Sequence, residues 1–297
     1  MAEPLLDAEE IAALESRVGQ SLATGSTEGL DVLGYGEITL VVGWPTGSPR
    51  VAAKRLPPFA DDSAAQRYGA LVGEYIEALA DRGIEPVRSE WVTTPTDDGE
   101  IAGYVVQPVL PGECLGMNIV TGGGPSVAAG LPAAVLERVA SSVDPRFGLD
   151  AQVSNWAMVD GSLRYFDVTT PMLCDAAGRT RLDLGLLTAP LPAALRPVAR
   201  RWIAPGIVAS YHRPRDVAVD LIGNLLKERA GHLIDGAIDE ANRWAMPPIT
   251  RGEIDRWYRS NARLWELMLR LRRAEWWWQR HVRRRNPAFL LPGPISR

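Results

Sequence analysis

The sequence predicts an α+β protein with two lobes: an antiparallel, β-rich first half and a mainly helical second half. Strand-like runs alternate with Gly-, Pro- and Asp-rich turns between residues 30 and 110. Apolar residues with helical spacing dominate from residue 190 onward. Between the halves lies a Gly- and Pro-rich stretch, PGECLGMNIVTGGGPS, which indicates a lobe boundary or a linker. The 297 residues are enough for two lobes with a substantial core.

The first half is predicted to contain two helices and five strands. Residues 3–19 have apolar positions spaced for one helical face. Residues 29–59 follow the pattern of three strands joined by tight turns. A second helix is expected over 63–82, capped by Asp61 or Asp62. The segment SEWVTTPTDDGEIAGYVVQPVL adds two strands around an Asp-Asp-Gly turn, which completes a five-stranded antiparallel sheet with one inserted helix.

The second half is predicted to open with a helix over 132–143, followed by the hairpin WAMVDGSLRYFD with VDG as its turn. Three helical segments follow between 190 and 245, and a last helix over 250–285 precedes a Pro-rich tail. These boundaries divide the chain into an N-lobe, a C-lobe and a basic, Trp-rich C-terminal region, at 1–109, 110–249 and 250–297.

Composition excludes several classes of protein. With 46% hydrophobic and 23% charged residues, the chain has the composition of a folded globular protein rather than a disordered one. It has no run of 18 apolar residues, so no membrane-spanning helix is expected. The acidic N-terminal stretch lacks the features of a signal peptide. Two cysteines, Cys114 and Cys174, provide neither a disulfide framework nor zinc-site spacing, which favours a reducing cytoplasm.

Three features of the first half favour phosphate binding. The stretch GYGEIT places Gly34 and Gly36 between two strands, where backbone N–H groups can approach a phosphate, although such Gly pairs also form ordinary hairpin turns. Lys54 ends the strand VAAK and is one of only two lysines in an Arg-rich chain. On the following helix, Glu74 flanks the apolar stripe, whereas Glu77 points to solvent, so Glu74 is the better partner for Lys54.

The stretch FGLDAQVSNWAMVDGSLRYFDVTTPM, residues 147–172, is a loop that leads into a hairpin. It contains Asp150, Asn155 five residues later, and Asp167 at the end of a strand-like run. Taken alone, this pattern fits either a catalytic loop with a metal-binding carboxylate or two surface acids around a hairpin.

Together, GYGEIT, VAAK, the helix Glu, the strand YVVQPVLPG and the Asp–Asn–Asp pattern resemble the protein-kinase-like superfamily, nearest to its aminoglycoside and choline phosphotransferase branch. The resemblance spans roughly residues 30–230 and implies a bilobal fold that binds ATP and Mg²⁺. It implies that Lys54 contacts phosphates and pairs with Glu74. It further implies that the loop residues Gly34 and Gly36 contact the nucleotide phosphates. In the hinge, it implies that the Gln107 carbonyl and the Val109 N–H contact the adenine ring.

The same resemblance makes Asp150 the catalytic residue and Asn155 and Asp167 the metal ligands. It also exposes departures from the family pattern. Gly148 stands where the family usually has a histidine, and Val168 and Thr169 replace the usual Phe-Gly after the metal Asp. A buried helix carboxylate such as that of Asp220 could hold the catalytic loop backbone, as a helix Asp often does in this superfamily. The plain alternative is Asp216 of the same helix as an N-terminal helix acid.

The function implied is an ATP- and Mg²⁺-dependent phosphotransferase that acts on a hydroxyl of a small molecule. Two alternatives stay open: a pseudokinase-like nucleotide-binding or scaffold protein, and a kinase-fold enzyme that transfers AMP. The three histidines are scattered and indicate no metal site.

The C-terminal region is basic. From Thr250 onward the chain has twelve Arg and four acidic residues, interspersed with Trp257, Trp265 and Trp276–Trp278. Because Trp257 and Leu264 share a helical face with other apolar residues, this helix is predicted to pack on the second lobe with Arg outward. A homodimer contact through this Trp/Arg helix, a nucleic-acid contact and an anionic-membrane contact are the alternatives. The acidic overall charge argues against general nucleic-acid binding.

Overall fold

The computed structural model describes residues 3–36 and 38–283. Its first half is one antiparallel sheet in the order β1-β2-β3-β6-β5, between two helices. The predicted five-stranded sheet with an inserted helix is therefore confirmed. The elements are α1 Ala8–Thr24, β1 Asp31–Tyr35, β2 Leu40–Trp44, β3 Val51–Arg55, α2 Asp62–Asp81, β4 Glu85–Pro86, β5 Glu90–Pro95 and β6 Ile101–Pro108.

Helix α1 begins at Ala8 rather than near residue 3, because Asp7 caps it. The Asp7 carboxylate accepts from the backbone N–H groups of Glu9 and Glu10, and the Glu10 side chain accepts from the Asp7 N–H. Helix α2 begins where predicted, with Asp61 as its cap.

The two helices cover opposite faces of the sheet. Alternate residues of a strand point to opposite faces, so Tyr104 and Val106 of β6 join the α1 side of the core and Val105 joins the α2 side. On the α1 side, a buried polar cluster joins the helix to the sheet. Arg55 donates to Glu15 through Nε at 2.8 Å and Nη2 at 2.7 Å, and the Tyr104 hydroxyl also donates to Glu15.

The second half is mainly helical, as predicted. A small sheet of order β4-β8-β7 joins it to the first half, because β4 pairs in parallel with β8. Its elements are α3 Gly116–Gly122, α4 Pro125–Ser142, β7 Trp156–Val159, β8 Ser162–Tyr165, α5 Leu184–Thr188, α6 Arg196–Val198, a π-helical turn Ala199–Ile203, α7 Ala204–Ser210, α8 Pro214–Lys227, α9 Ile234–Ala241 and α10 Arg251–His281.

The predicted linker between the lobes is in fact partly helical. Helix α3 lies inside it, and α4 begins at Pro125, seven residues earlier than expected at 132. The glycine that opens α3 serves close packing: a Cβ on Gly116 would lie 2.2 Å from the Val153 carbonyl oxygen. The predicted hairpin turn is confirmed, with Asp160 and Gly161 at φ 51° and 77°, as a tight hairpin requires.

One hydrophobic core runs through both halves. It contains Tyr75 of α2 and Val105 of β6 together with Leu149, Trp156 of β7 and Leu221 of α8. The mixed α+β architecture, with an antiparallel sheet in the first half and a mainly helical second half, confirms the predicted fold class.

Helix α10 packs on α8 and α9 through its first turns. Ile254 is fully buried, and the Trp257 ring lies against Gly223 of α8, where a Cβ would be 2.1 Å from it. At its far end the Arg280 guanidinium donates to the Thr24 carbonyl at the end of α1. Leu264, expected on the packed face, is 45% exposed. Within residues 3–36 and 38–283, none of the helices combines the length and apolar content that a bilayer crossing needs.

Candidate active site

Lys54 lies in the cleft between the two halves. Its Nζ donates to the Phe166 carbonyl at 2.6 Å and lies 3.6 Å from Asp167 Oδ1 and 4.9 Å from the centre of the Phe166 ring. The side chain is 8% exposed. Burial lowers the pKa of Lys54, and the Asp167 carboxylate opposes that shift. The structure thus brings together two residues that the sequence singled out and that are 113 positions apart, from 54 to 167.

Asp167 is held at the end of the β7–β8 hairpin. The Thr169 hydroxyl donates to Asp167 Oδ1 at 2.7 Å, so the threonine that replaces the usual glycine orients this carboxylate. Gln107 of β6 supports the same segment: its Nε2 donates to the Phe166 carbonyl and to the Ser89 hydroxyl, both at 2.8 Å. Two side chains from the sheet therefore fix the position of the Phe166–Asp167 peptide.

The hinge prediction needs correction at Val109. Its backbone N–H donates to the Arg50 carbonyl at 3.1 Å, which extends the β3–β6 ladder by one step. This N–H is consequently not free to meet an adenine ring. Gln107 stays in the candidate site, but through its buried side chain, while a contact from its carbonyl to adenine stays a prediction.

The predicted ion pair between Glu74 and Lys54 is wrong. Glu74 pairs instead with Arg181, through Nη1 at 2.5 Å and Nη2 at 2.9 Å, and its side chain is 49% exposed. The hydrogen bond from Arg181 lowers the pKa of Glu74. The physical reason lies in α2, where Tyr75 occupies the face toward the cleft and turns the neighbouring Glu74 toward the second lobe's surface.

Two tyrosines of α2 connect this helix to the second half, and sequence reasoning missed them. The Tyr75 hydroxyl donates to the Gly148 carbonyl at 3.0 Å, and the Tyr68 hydroxyl donates to the Thr169 carbonyl at 2.8 Å. Both tyrosines occupy positions of the apolar stripe of α2, and nothing in the neighbouring sequence indicates that their hydroxyl groups form hydrogen bonds.

The pKa of Tyr75 is raised well above its ordinary value, first by burial and then by the carboxylates of Asp167 and Asp150. The same two carboxylates, after burial and Tyr75, raise the pKa of Tyr165. The carboxylates of Asp150 and Asp167 therefore both lie near enough to this tyrosine pair to raise its pKa values.

The loop that carries Asp150 is braced by its own residues. Asp150 Oδ1 accepts from the Gln152 backbone N–H at 3.3 Å, and the Asn155 side chain donates to the Asp150 carbonyl at 3.2 Å. The Asn155 carbonyl in turn accepts from the Phe166 N–H at 3.0 Å. Asn155 thus joins the Asp150 loop to the segment of Asp167.

Gly148 is enclosed, and a histidine from elsewhere fills the space beside it. A Cβ on Gly148 would lie 2.9 Å from Met172 Cβ, 3.0 Å from His212 Cε1 and 3.0 Å from the Tyr211 carbonyl oxygen. The buried His212 ring lies between the Val208 and Met172 carbonyls, at 3.0 and 3.2 Å. The space beside Gly148 is therefore occupied by an imidazole from the segment that follows α7.

Helix α8 reaches the Asp150 loop through its C-terminal residues. Lys227 Nζ lies 3.4 Å from Gln152 Oε1. Glu228 is buried, and this burial raises the pKa of its carboxyl group. A hydrogen bond from Ser154 of the loop partly opposes that rise. Asp220 Oδ2 accepts from Asn224 at 3.1 Å, and its expected bond to the loop backbone stays a prediction.

The glycine loop between β1 and β2 is closed by a bond from the Gly36 N–H to the Thr39 carbonyl at 2.9 Å. A Cβ on Gly36 would lie 2.2 Å from the Thr39 hydroxyl, so a side chain there would displace the threonine. Open space surrounds Gly34, whose Cβ would meet nothing within 4 Å. Phosphate contacts from Gly34 and Gly36 stay predictions.

The oxygen donors fit magnesium. Asp167 and Asn155 offer a carboxylate and an amide oxygen, which are hard ligands. No group of three His, Cys, Asp or Glu side chains able to hold a metal by itself occurs in the described part of the chain. Magnesium at phosphate sites commonly uses one or two carboxylates and completes its shell with phosphates and water, so a preformed cage is not required.

A search of curated proteins finds no match. Among solved structures, the chain is similar to one described as WaaP in complex with acyl carrier protein, at 12% identity and a TM-score of 0.39, over 92% of this chain and 99% of that one. It is also similar to the PknI kinase domain of Mycobacterium tuberculosis, at 18% identity and a TM-score of 0.28, over 72% and 96% of the two chains.

One protein-family model matches most of the chain, from within α1 to within α10. Residues 13–276 match, and the chain belongs to the Family of unknown function (DUF6206).

Proposed function

We propose that the protein is an ATP- and Mg²⁺-dependent phosphotransferase that acts on a hydroxyl of a small molecule. The observation that carries this proposal is the meeting of Lys54 with Asp167 in the cleft, at 3.6 Å, beside the loop of Asp150. Phosphoryl transfer from ATP depends mostly on positioning and on charge stabilisation, and these side chains are of the required kinds.

Each residue has a distinct role in the proposed reaction. Lys54 provides a fixed positive charge for phosphate oxygens. Asp167 and Asn155 would hold Mg²⁺, which would neutralise negative charge on the phosphates. Asp150 orients the acceptor hydroxyl and accepts its proton, and the Gln152 N–H keeps that carboxylate in place.

A second candidate function is nucleotide binding without transfer. It is favoured by one observation, that Glu74 pairs with Arg181 rather than with Lys54. If Lys54 needs the helix carboxylate for catalysis, this chain binds nucleotide and serves as a scaffold. If Tyr75 and Gln107 position the cleft well enough, transfer is retained.

The test combines binding with turnover. Mg-ATP is expected to raise the melting temperature, and ATP labelled at the γ-phosphate, incubated with a panel of small-molecule alcohols, is expected to yield a labelled acceptor. Label transferred from the α-phosphate instead would assign AMP transfer. Asp150→Asn and Asp167→Asn are each expected to lower turnover about a hundredfold or more.

A matched control lies on the same hairpin. Asp160 is exposed at the turn with φ 51°, a conformation that asparagine adopts readily, so Asp160→Asn should keep full turnover. Absence of any Mg-ATP effect on melting would overturn the proposal. Binding without transfer to any alcohol would favour the scaffold, and turnover that survives Asp167→Asn would remove Asp167 from its role.

A further inference from the structure

A part of the second lobe outside the cleft exposes large apolar side chains that the proposed reaction does not use. It lies where α6, the π-helical turn and α7 follow one another. Trp202 is 75% exposed, and its neighbours in this segment are between 40% and 55% exposed. These neighbours are Leu195, Val198, Ile203 and Ile207.

The π-helical turn explains why this segment presents so much to solvent. Ala199 and Ala204, five residues apart, both face inward at 5% and 6% exposure. The four residues between them, 200–203, are all exposed. In an α-helix four consecutive residues cover about three-quarters of the circumference, so one would turn toward the core. The widened turn instead directs Arg200, Arg201, Trp202 and Ile203 outward together, and such turns frequently occur at functional sites.

Helix α10 continues the same surface. An apolar stripe runs along one side of it, in which Leu264, Leu267, Leu271, Trp278 and Val282 follow one another at intervals of three, four, seven and four residues, so these side chains share a face. Its exposed members are Leu264, Leu267, Trp278 and Val282. Glu275, next to this stripe on the helical wheel, pairs with Arg196 of α6 at 3.5 Å. The stripe and the segment 195–207 therefore meet at this ion pair, and the two together are called the Trp202 surface below.

The Trp202 surface is bordered by positive charge. Arg200 and Arg201 lie within the segment 195–207, and the exposed Arg263 and Arg270 border the stripe on α10. Arg201 lies over the Trp202 ring at 5.6 Å. The only exposed carboxylate between Arg263 and Arg270 is that of Glu266, which pairs with Arg270 at 2.6 Å. The net charge around the exposed apolar side chains is thus positive.

We propose that the Trp202 surface docks on an anionic lipid bilayer. Aliphatic side chains enter the acyl boundary, tryptophan rings lie at the headgroup level, and arginines meet anionic headgroups, so this mixture matches a membrane surface at each depth. A second copy of the chain fits less well, because its arginines would face like charges. Nucleic acid offers phosphates to the arginines but nothing to Val198, Ile203 and Leu267.

The experiment uses the full chain and vesicles of two compositions, phosphatidylcholine alone and phosphatidylcholine with phosphatidylglycerol in equal parts. Flotation is expected to recover the protein with the anionic vesicles and not with the neutral ones. Trp202→Ala is expected to weaken binding roughly tenfold, from the loss of one aromatic side chain. Arg200→Gln with Arg201→Gln is expected to weaken it about thirtyfold.

Matched controls lie away from the Trp202 surface. Met246→Ala removes an apolar side chain that is 80% exposed, and Arg67→Gln with Arg243→Gln removes two exposed arginines. Both controls should bind anionic vesicles as the wild type does. Equal binding to both vesicle types, or unchanged binding by the Trp202 and arginine variants, would overturn the proposal. So would a dimer, or an oligonucleotide complex, that forms in solution and is lost with Trp202→Ala.

Discussion

Replacement of Lys54 by methionine separates the role of this residue in stability from its role in binding. The substitution removes a charge but keeps a side chain of similar length. At 3.6 Å, the attraction between Lys54 and Asp167 is about 4–5 kcal/mol for an effective dielectric constant near 20. Burying the ammonium costs several kcal/mol in the opposite direction. Because burial lowers the pKa of Lys54, the desolvation is the larger effect.

We therefore expect Lys54→Met to be as stable as the wild type, or more stable by about 1 kcal/mol, near neutral pH. The Phe166 carbonyl keeps its bond from Gln107, so no buried acceptor is left without a donor. The difference in unfolding free energy between Lys54→Met and the wild type should depend on pH. The unfolded chain holds the Lys54 proton up to the ordinary lysine pKa of about 10.4, whereas the folded protein releases it at lower pH.

Between those two pKa values the unfolded state binds more protons, so wild-type stability rises with pH there. The variant lacks this contribution. Its stability advantage should consequently shrink as the pH rises from neutral toward about 10. Urea unfolding of both proteins at neutral and at alkaline pH measures this difference directly.

Binding of Mg-ATP, unlike stability, should be weakened by Lys54→Met. At Mg-ATP concentrations about a hundred times Kd, the wild type gains about 2.7 kcal/mol, which raises the melting temperature of a chain of 297 residues by about 4 °C. Loss of a charged hydrogen bond worth about 1.5–3 kcal/mol weakens binding roughly ten- to a hundredfold. The Mg-ATP shift of Lys54→Met should then fall to about half or less.

Two results would refute this reasoning. A loss of more than about 2 kcal/mol in the variant would mean that the pair with Asp167 stabilises the fold. A full Mg-ATP shift in the variant would mean that Lys54 does not contact the nucleotide. Arg243→Met is the control, since Arg243 is 73% exposed and its removal should change neither measurement.

Three further substitutions test the packing around the site. Tyr75→Phe leaves the buried Gly148 carbonyl without its donor and should cost about 1–3 kcal/mol in urea unfolding. Glu15→Gln breaks the buried pair with Arg55 and should cost about 3–5 kcal/mol by the same measurement; a loss below 1 kcal/mol would show that the pair is dispensable. Gly148→Ala brings a Cβ to 2.9 Å from a neighbouring side chain and should cost about 1–3 kcal/mol in thermal unfolding, whereas Gly236→Ala, in open space on α9, should be neutral or stabilising.

Features with a local cause could be predicted from the sequence. The antiparallel sheet follows from short apolar runs separated by turn residues, and the hairpin turn follows from Asp160-Gly161, whose positive φ angles glycine and aspartate tolerate. Lys54 could be singled out because lysine is rare in this chain, and Asp167 because it ends a strand. Their meeting at 3.6 Å could be expected only through the resemblance to a known fold.

Features that depend on contacts between distant segments could not be predicted. The partner of Glu74 is Arg181, 107 residues away, and nothing near Glu74 in the sequence indicates it. The stretch before α4 was expected to be a linker because it is rich in glycine. Gly116, however, allows close packing against the Val153 carbonyl, so glycine there marks contact rather than flexibility.

The tyrosine contacts between α2 and the second half restrict how the two halves can move relative to each other. Lobes that share a small, polar interface hinge readily, whereas a large apolar interface holds them together. Here Tyr75 is fully buried, stacks on Phe147 at 5.5 Å, and belongs to a core that includes Leu149 and Leu221 of the second half. Moving α2 away from the Asp150 loop would expose that apolar surface and break the bond to Gly148. The two halves are therefore held together by this shared core, and both should unfold in one cooperative transition.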